Sequence, residues 1–330
     1  MNTLVTGGAG YIGSHATEAL INAGHNVTVI DNLFRGHRQA VHPQAAFHRL
    51  DLAQQNEITQ LLISQKIQCV IHFAALAYVG ESVEQPLRYY HNNTAGTISL
   101  LNAMKDAQVH KLVFSSTCAT YGQPTAVPIK EATAQQPINP YGWSKLFIER
   151  ILIDYAQANP KFAFAAPRYF NVAGASLSGK LGEDHQPESH LIPLVILAAL
   201  GQRQSITIFG QDYDTPDGTC IRDYIHVQDL AEAHVALMES LKEADQEFYN
   251  LGIGKGYSVK EIIAGVQKVT GTKIKVIPGK RRPGDPPVLF ADPSKIKRNI
   301  GWEAKITDLH QIIDSAYQWF KKNPQGYPKT

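Results

Sequence analysis

Cysteine is scarce in this sequence, with three among 330 residues: Cys69, Cys118 and Cys220. An odd number at such wide spacing supplies neither a disulfide framework nor the paired cysteines of a zinc site. The 13 histidines form neither a His-x-His nor a His-Glu-x-x-His pair, so no metal site is predicted. This composition is typical of a protein with reduced thiols in the cytoplasm.

The sequence also lacks an excess of one charge and any long apolar run. Lysine and arginine number 31 against 29 acidic residues, which gives a net charge of +2. This balance predicts neither nucleic acid nor an anionic membrane as a partner. No apolar run approaches the ~18 residues of a membrane span, and residues 2–6 are typical of a strand rather than of a signal peptide.

Apolar residues are abundant enough for a large core, at 44% of the chain. The first half alternates β-rich runs with helical stretches, which predicts a doubly wound parallel sheet of the α/β class. Strands are predicted at 2–6, 26–30, 69–73, 111–115 and 163–169. Helices are predicted between them at about 11–24, 54–66, 91–108 and 142–158.

After about residue 171 the pattern becomes irregular. Glycine, proline and polar residues crowd 174–190, and 278–293 holds five prolines. Helices are predicted near 191–201, 228–242 and 307–322. We therefore predict a sheet domain at 1–171 and a smaller α/β lobe at 172–330. Segments of 221–250 can still pack back on the sheet, so this boundary is not a strict one.

A glycine-rich turn follows the first predicted strand and opens the first predicted helix. Gly7, Gly10 and Gly13 follow a Gly-x-x-Gly-x-x-Gly spacing, with Tyr11 and Ile12 inside it. Glycines permit a tight turn and close backbone approach, and the N-terminus of a helix attracts anions. In this position the turn predicts a site for the pyrophosphate of a dinucleotide.

Asp31 ends the second predicted strand, where a carboxylate can bind the adenosine ribose hydroxyls. It would repel a 2′-phosphate, so NAD is favoured over NADP. The alternative is a strand-ending aspartate that caps the next turn. Arg35 and Arg38 lie nearby and would suit the 2′-phosphate of NADP.

Tyr141 and Lys145 lie four residues apart at the start of a predicted helix, so they share a face. A nearby cation lowers the pKa of a phenol and makes a phenolate base available. Thr117 follows a predicted strand and can hydrogen-bond the same substrate oxygen. A second pair, Tyr317 and Lys321, has no such companion. The alternative for the first pair is an exposed pair on a surface helix.

Taken together, these motifs resemble the extended short-chain dehydrogenase/reductase family: Thr6–Gly13, Ser115–Thr117, Tyr141 with Lys145, and Arg168–Asn171. Three further segments resemble the UDP-glucose 4-epimerases: Gly80–Ser82, Arg222–Val227 and Pro324–Tyr327. The likeness covers nearly the whole chain. It implies that 1–171 binds NAD, that 172–330 binds a UDP-sugar, and that two copies form a homodimer through helices near 91–108 and 142–158.

The resemblance implies a set of site residues. The catalytic residues would be Tyr141, Lys145 and Thr117. Those that bind NAD would be Gly7, Gly10, Tyr11, Ile12, Gly13, Asp31, Asn32, Asp51, Leu52, Phe73, Ala74, Ala75, Asn92, Ser115, Tyr141, Lys145 and Tyr169. Those that bind the UDP-sugar would be Thr117, Tyr141, Asn171, His190, Leu191, Thr207, Phe209, Arg222, Tyr224, Arg282, Asp285 and Leu289.

The implied reaction interconverts UDP-glucose and UDP-galactose. Phenolate Tyr141 takes the proton of the 4-hydroxyl while hydride leaves C4 for NAD, and the 4-keto sugar turns over before hydride returns to its other face. NAD is restored in each cycle, so it should be held tightly.

Three positions depart from the family pattern. Ala77 stands where many of these epimerases have lysine, and the run 77–82 also resembles the UDP-arabinose (UDP-xylose) 4-epimerases. His190 replaces an asparagine. Leu289 stands where some members have tyrosine, and a smaller side chain leaves room for the N-acetyl group of UDP-GlcNAc or UDP-GalNAc. Substrate identity is therefore less fixed than reaction type.

Other functions remain as alternatives. Nucleotide-sugar 4,6-dehydratases typically carry Asp-Glu after the hydroxyl residue, where this chain has Cys118 and Ala119. A net reductase would need NADPH, which Asp31 disfavours. A non-catalytic NAD sensor would not need Tyr141, Lys145 and Thr117 together.

Overall fold

The computed structural model describes residues 1–282 and 284–328. The strands are β1 (Asn2–Thr6), β2 (Asn26–Asp31), β3 (Ala46–Arg49), β4 (Cys69–His72), β5 (Lys111–Phe114), β6 (Ser116–Thr117), β7 (Ala163–Tyr169), β8 (Asn171–Ala173), β9 (Ile206–Phe209), β10 (Ile221–His226), β11 (Gln246–Leu251), β12 (Gly256–Ser258), β13 (Val276–Gly279) and β14 (Val288–Leu289). The helices are α1 (Tyr11–Asn22), α2 (Gln55–Ser64), α3 (Val79–Glu84), α4 (Pro86–Tyr89), α5 (Gly96–Asp106), α6 (Pro140–Ala158), α7 (Leu191–Ala199), α8 (Val227–Ser240), α9 (Val259–Thr270), α10 (Ser294–Ile300) and α11 (Leu309–Lys322).

The main sheet is parallel, in the order β11-β7-β5-β4-β1-β2-β3, with β6 paired to β7. Apolar side chains project from both faces of the sheet, and helices cover both faces. Leu4 packs in a cluster with Leu62 of α2 and Leu101 of α5, whereas its neighbour Val5 packs in another with Leu20 of α1 and Leu230 of α8. Successive strand residues point to opposite faces, and burial on both is typical of parallel sheets. The predicted doubly wound sheet is confirmed.

The predicted strands and helices of the first half are confirmed, with small shifts at their ends. Helix α6 begins at Pro140 rather than at 142, because Pro140 fits the first helical position and the Asn139 side chain accepts a hydrogen bond from the Gly142 amide at 2.9 Å. The predicted helix 91–108 is a π-helical turn, Tyr90–Ala95, followed by α5.

The second half contributes to two layers. Strands β8, β12 and β14 pair with β10, and β9 pairs with β13. Helices α7, α9 and α11 enclose a separate apolar cluster that includes Val195, Ile262 and Trp319. However, β11 pairs with β7 in the main sheet, and α8 packs against α1. A boundary at residue 171 stays a prediction.

The length and apolar content of the helices can be compared with what a membrane span requires. None of the helices within 1–282 and 284–328 is long and apolar enough to cross a bilayer.

A buried ion pair ties α6 to the sheet. Arg168 of β7 donates to both carboxylate oxygens of Glu149 on α6, at 2.9 and 2.7 Å, and these two side chains are 4% and 1% exposed. The same carboxylate accepts hydrogen bonds from Ser116 at 2.5 Å and Gln135 at 2.7 Å. With both oxygens engaged, the pair fixes the position of α6 against β6 and β7.

We expect Glu149→Gln to lower the free energy of unfolding by about 3 kcal/mol, because it leaves the buried Arg168 charge without its counter-charge. The matched control is Glu303→Gln, which removes an ion pair with Lys297 whose side chains are 62% and 63% exposed. That change should cost no more than about 1 kcal/mol. Urea unfolding followed by circular dichroism measures both, and equal losses would contradict a special role for the buried pair.

Candidate active site

The candidate cofactor residues lie along one edge of the main sheet. Since its strands are parallel, their carboxyl ends meet there, and the strand order reverses between β1 and β4, where ligands bind in open α/β sheets. The residues that follow the strand ends are Gly7 to Gly13 after β1, Asp31 and Asn32 at β2, Asp51 and Leu52 after β3, Phe73 to Ala75 after β4, Ser115 after β5 and Tyr169 at β7, with Asn92 in the π-helical turn.

The glycine turn leaves room for a dinucleotide at this reversal point. Gly7 has a φ of 71°, and a Cβ on it would lie 2.6 Å from the amide nitrogen of Ala74. A Cβ on Gly13 would lie 2.1 Å from the Gly7 carbonyl oxygen. Gly10 supplies no side-chain cap for α1, so the first amides of that helix face the turn without one. Such amides hold a pyrophosphate elsewhere, and the turn therefore fits NAD.

Asp31 makes the hydrogen bonds of a strand-ending aspartate that caps the next turn, which was the alternative to ribose binding. Its carboxylate accepts from the amides of Ala9 at 3.1 Å and Leu33 at 2.8 Å. Burial raises the pKa of this carboxyl, and the two amide bonds oppose the rise. These bonds hold the carboxylate at the strand end, and its role toward a ribose stays a prediction. Asn32 donates to Asp51 at 2.7 Å and so joins two more residues of the cofactor set.

The two arginines near Asp31 are engaged elsewhere. Arg35 donates to both oxygens of Glu81 at 2.9 Å, and its guanidinium lies 3.7 Å from the centre of the Tyr78 ring. Arg38 lies 4.6 Å from the centre of the Phe47 ring. These contacts weaken the argument that the pair serves a 2′-phosphate.

Lys145 is held in a fixed position beside the end of β5. Its Nζ donates to the Ser115 carbonyl at 2.8 Å and lies 4.9 Å from the centre of the Phe114 ring. The Ser115 hydroxyl in turn shares a hydrogen bond with the hydroxyl of Tyr169. The sheet edge thus brings these predicted residues together with Tyr141, one helical turn earlier on α6.

The ionisation of Tyr141 differs from the expectation. With only the chain's own groups around it, burial raises the pKa of the Tyr141 phenol, and a hydrogen bond from Thr117 opposes this only in part. Burial also lowers the pKa of Lys145 to about 7. Among the chain's own groups, burial therefore opposes the phenolate form of Tyr141, and its role as a base stays a prediction.

Most of the candidate substrate residues come from the second half of the chain, and four of them contact one another. Asp285 forms ion pairs with Arg222 of β10 and, at 3.6 Å, with Arg282. The Arg282 guanidinium lies 4.9 Å from the centre of the Phe209 ring. The other predicted members lie on several elements of the second half: Asn171 on β8, His190 and Leu191 at the start of α7, Thr207 on β9, Tyr224 on β10 and Leu289 on β14.

Sequence spacing missed a cluster around His190. Glu183, His185, Glu188 and His190 place one ligand-type atom each within 4.8 Å of one another. Burial would raise the pKa of Glu183, but His190 and His185 outweigh it and lower that pKa to about 2. The spacing Glu-x-His-x-x-Glu-x-His was visible in the sequence, yet it matches none of the common metal-ligand patterns.

Comparison with known proteins agrees with this geometry. Residues 3–252 match the profile of the NAD dependent epimerase/dehydratase family. A UDP-glucose 4-epimerase of Lactobacillus helveticus is 48% identical over 99% of both chains. A probable UDP-arabinose 4-epimerase of Oryza sativa subsp. japonica is 44% identical over 99% of this chain and 84% of the relative.

A solved structure is equally similar. The UDP-glucose 4-epimerase from Brucella ovis, in complex with NAD, superposes with a TM-score of 0.93 at 48% identity and covers 96% of this chain and 98% of its own. Because the profile spans most of the chain and these relatives span nearly all of it, the chain belongs to the NAD dependent epimerase/dehydratase family.

Proposed function

We propose that this chain interconverts UDP-glucose and UDP-galactose by NAD-dependent epimerisation at C4, through a 4-keto intermediate. The observation that carries the proposal is the position of Tyr141. Its phenol lies beside the Thr117 hydroxyl, on the sheet edge that also holds the glycine turn and the fixed Lys145. The similarity to UDP-glucose 4-epimerases over 99% of the chain supports the same reaction.

NAD, when bound, supplies a hydride acceptor that is restored in every cycle. The chain's own residues do the rest. Tyr141 accepts the proton of the sugar 4-hydroxyl and later returns it, and Thr117 holds the same oxygen. Lys145, anchored on the Ser115 carbonyl at 2.8 Å, binds the nicotinamide ribose and adds positive charge near the phenol.

The residues proposed to bind UDP would keep the substrate in the site while its sugar rotates. A guanidinium can bind a phosphate through two hydrogen bonds, and Asp285 holds Arg222 and Arg282 on one side of the cleft. With the diphosphate fixed there, the sugar is free to rotate and present its other face. We assign 172–330 to the UDP-sugar and 1–171 to NAD on this basis.

The substrate range extends to the N-acetylated sugars in this proposal. Leu289 is paired with Arg222 across β14 and β10 and is 9% exposed, in a cluster with Tyr121 and Phe170. A tyrosine in its place would fill more of the cleft. UDP-GlcNAc and UDP-GalNAc are therefore proposed as further substrates, and UDP-arabinose stands as the alternative.

Tyr141→Phe should lower kcat with UDP-galactose by about 10²–10⁴-fold, because it removes the group that accepts the proton. The matched control is Tyr317→Phe, which changes the second Tyr-x-x-x-Lys pair on α11 and should leave kcat unchanged. Chromatography of products from UDP-galactose, UDP-GalNAc and UDP-arabinose, without added NAD, measures both variants. Turnover of UDP-arabinose alone would move the substrate to pentoses, and turnover of none, even with added NAD, would overturn the proposal.

A second prediction concerns the ionisation of Tyr141. Burial raises its pKa when only the chain's groups surround it, so the phenol should stay protonated near neutral pH after NAD is removed. The nicotinamide ring of NAD is cationic, and an adjacent positive charge lowers a phenol's pKa. Tyrosinate absorbance compared between the wild type and Tyr141→Phe should therefore shift to lower pH when NAD is restored. An identical titration in both states would contradict this.

We also propose that the protein is a cytoplasmic homodimer that associates through α5 and α6. Apolar side chains are exposed on and beside these helices: Leu87 at 80%, Ile98 at 43%, Trp143 at 38% and Phe147 at 41%. Burial of such a surface stabilises association. All three cysteines are free, in keeping with a reducing compartment.

Phe147→Glu should shift the protein from dimer toward monomer in analytical ultracentrifugation, since it places a charge in the proposed interface. The control is Leu177→Glu, which should leave the mass unchanged. Leu177 is also exposed, at 65%, but it lies on neither α5 nor α6. A wild-type monomer at micromolar concentration would exclude the dimer.

A further inference from the structure

Four side chains with metal-ligating atoms converge in the segment between β8 and α7. They are Glu183, His185, Glu188 and His190, which we call the 183–190 cluster. Glu183 is 3% exposed and Glu188 is 9% exposed, whereas His190 is 45% exposed and gives access from solvent. Buried carboxylates next to two imidazoles differ from the exposed acidic patches that are common on protein surfaces.

The ligand-type atoms all lie within 4.8 Å of one another, and three of the distances are close to those of a tetrahedral metal site. The Nδ1 of His185 lies 3.0 Å from a Glu183 oxygen and 3.8 Å from a Glu188 oxygen, and the Nδ1 of His190 lies 3.5 Å from the other Glu188 oxygen. Glu183 and His190 are closer still. At metal–ligand distances of 2.0–2.1 Å, the ligand atoms of a tetrahedral zinc site lie about 3.3 Å apart.

The hydrogen bonding of His185 supports the same reading. Its Nδ1 is buried and, although 3.0 Å from Glu183, is not aligned for a hydrogen bond with any group of residues 1–282 and 284–328. Ligand atoms that share a metal point at a common centre rather than at one another. The ring itself is held edge-on between Tyr11 at 6.2 Å and Tyr78 at 5.9 Å, measured between ring centres.

The buried carboxylate of Glu183 is paired, among the described residues, with imidazoles rather than with a lysine or arginine. Within the described ranges of the chain, its ion-pair partners are the imidazoles of His185 and His190, with no lysine or arginine among them. Burying a carboxylate is costly unless a cation or several donors balance it. A divalent ion would balance both glutamates at once.

We propose that the 183–190 cluster binds one divalent transition-metal ion, and that this ion is Zn²⁺. Two imidazole nitrogens and two carboxylate oxygens suit zinc, whereas Mg²⁺ and Ca²⁺ prefer oxygen ligands alone. Outer contacts already orient one ligand, because a Glu188 oxygen accepts from the amides of Ser189 and His190 at 2.7 and 2.8 Å.

The ion would have a structural role next to the proposed substrate pocket. The cluster ends at His190, and Leu191 begins α7 directly after it. Metal coordination through Nδ1 of His190 leaves its other ring nitrogen outside the cluster. The ion would therefore fix the segment that carries two residues of the candidate substrate set, and it takes no part in the chemistry at C4. The histidine spacing in the sequence alone predicted no metal.

The test is direct measurement of metal binding by the full-length protein. After treatment with a chelator and its removal, isothermal titration with Zn²⁺ should give one saturable site per chain that excess Mg²⁺ does not displace. Substitution with Co²⁺ should give the visible absorption of a tetrahedral centre. Thermal unfolding should shift upward with Zn²⁺, since a ligand bound only to the folded state stabilises it.

Two variants and a control identify the ligands. His185→Gln and Glu188→Gln should each weaken Zn²⁺ binding by at least about tenfold and abolish the Co²⁺ absorption, with folding checked by circular dichroism. His310→Gln changes a histidine of similar exposure to His190, 3.8 Å from a carboxylate outside the cluster, and should change neither. Absence of a saturable site in the wild type, or equal binding by wild type and both cluster variants, would overturn the proposal. These readouts do not depend on turnover, so they are independent of the proposed function.

Discussion

The buried pair of Arg168 and Glu149 is the interaction on which the placement of the candidate catalytic groups depends. Through Glu149 it holds the helix that carries Tyr141 and Lys145, and through Ser116, at 2.5 Å, it holds the short strand that ends at Thr117. Arg168 also donates to the Tyr121 hydroxyl at 2.9 Å, and that hydroxyl donates to Asn250 on β11 at 2.7 Å. One charge pair thus links the group proposed to accept the proton, its hydroxyl neighbour and the edge of the sheet. Burial makes the link rigid, because neither charge can leave its partner for water.

The sequence predicted the first half of this fold well because its signals are local. Short apolar strands, glycines after β1 and a proline at the start of α6 each act on the few residues beside them. Strand β11, with the sequence QEFYNL, carries no comparable apolar run, since it lies at the sheet edge. Its pairing with β7 joins residues about eighty positions apart, and such a contact is decided by the packed structure rather than by local pattern.

The candidate site shows the same division between position and electrostatics. Helical spacing correctly predicted that Tyr141 and Lys145 lie one turn apart, and the sheet edge brings Ser115 to the lysine at 2.8 Å. The pKa of the phenol could not be predicted in this way, because burial, which spacing does not report, raises it. Spacing rules likewise passed over Glu183 and His185, whose convergence depends on how a loop folds against Tyr11 and Tyr78.

The groups proposed for the reaction and those proposed for substrate choice therefore lie in different parts of the molecule. The groups proposed for the chemistry stand on a sheet edge built from backbone amides, glycines and a buried ion pair, which also hold the fold together. The groups proposed for the sugar stand on short strands and loops of the second half, such as Leu289 on the two-residue β14 and His190 before α7. Changes at those positions alter pocket size or charge while the sheet stays intact. Relatives that epimerise different sugars can thus share one sheet edge, and the identity of the sugar follows from a few loop residues and from what fixes those loops in place.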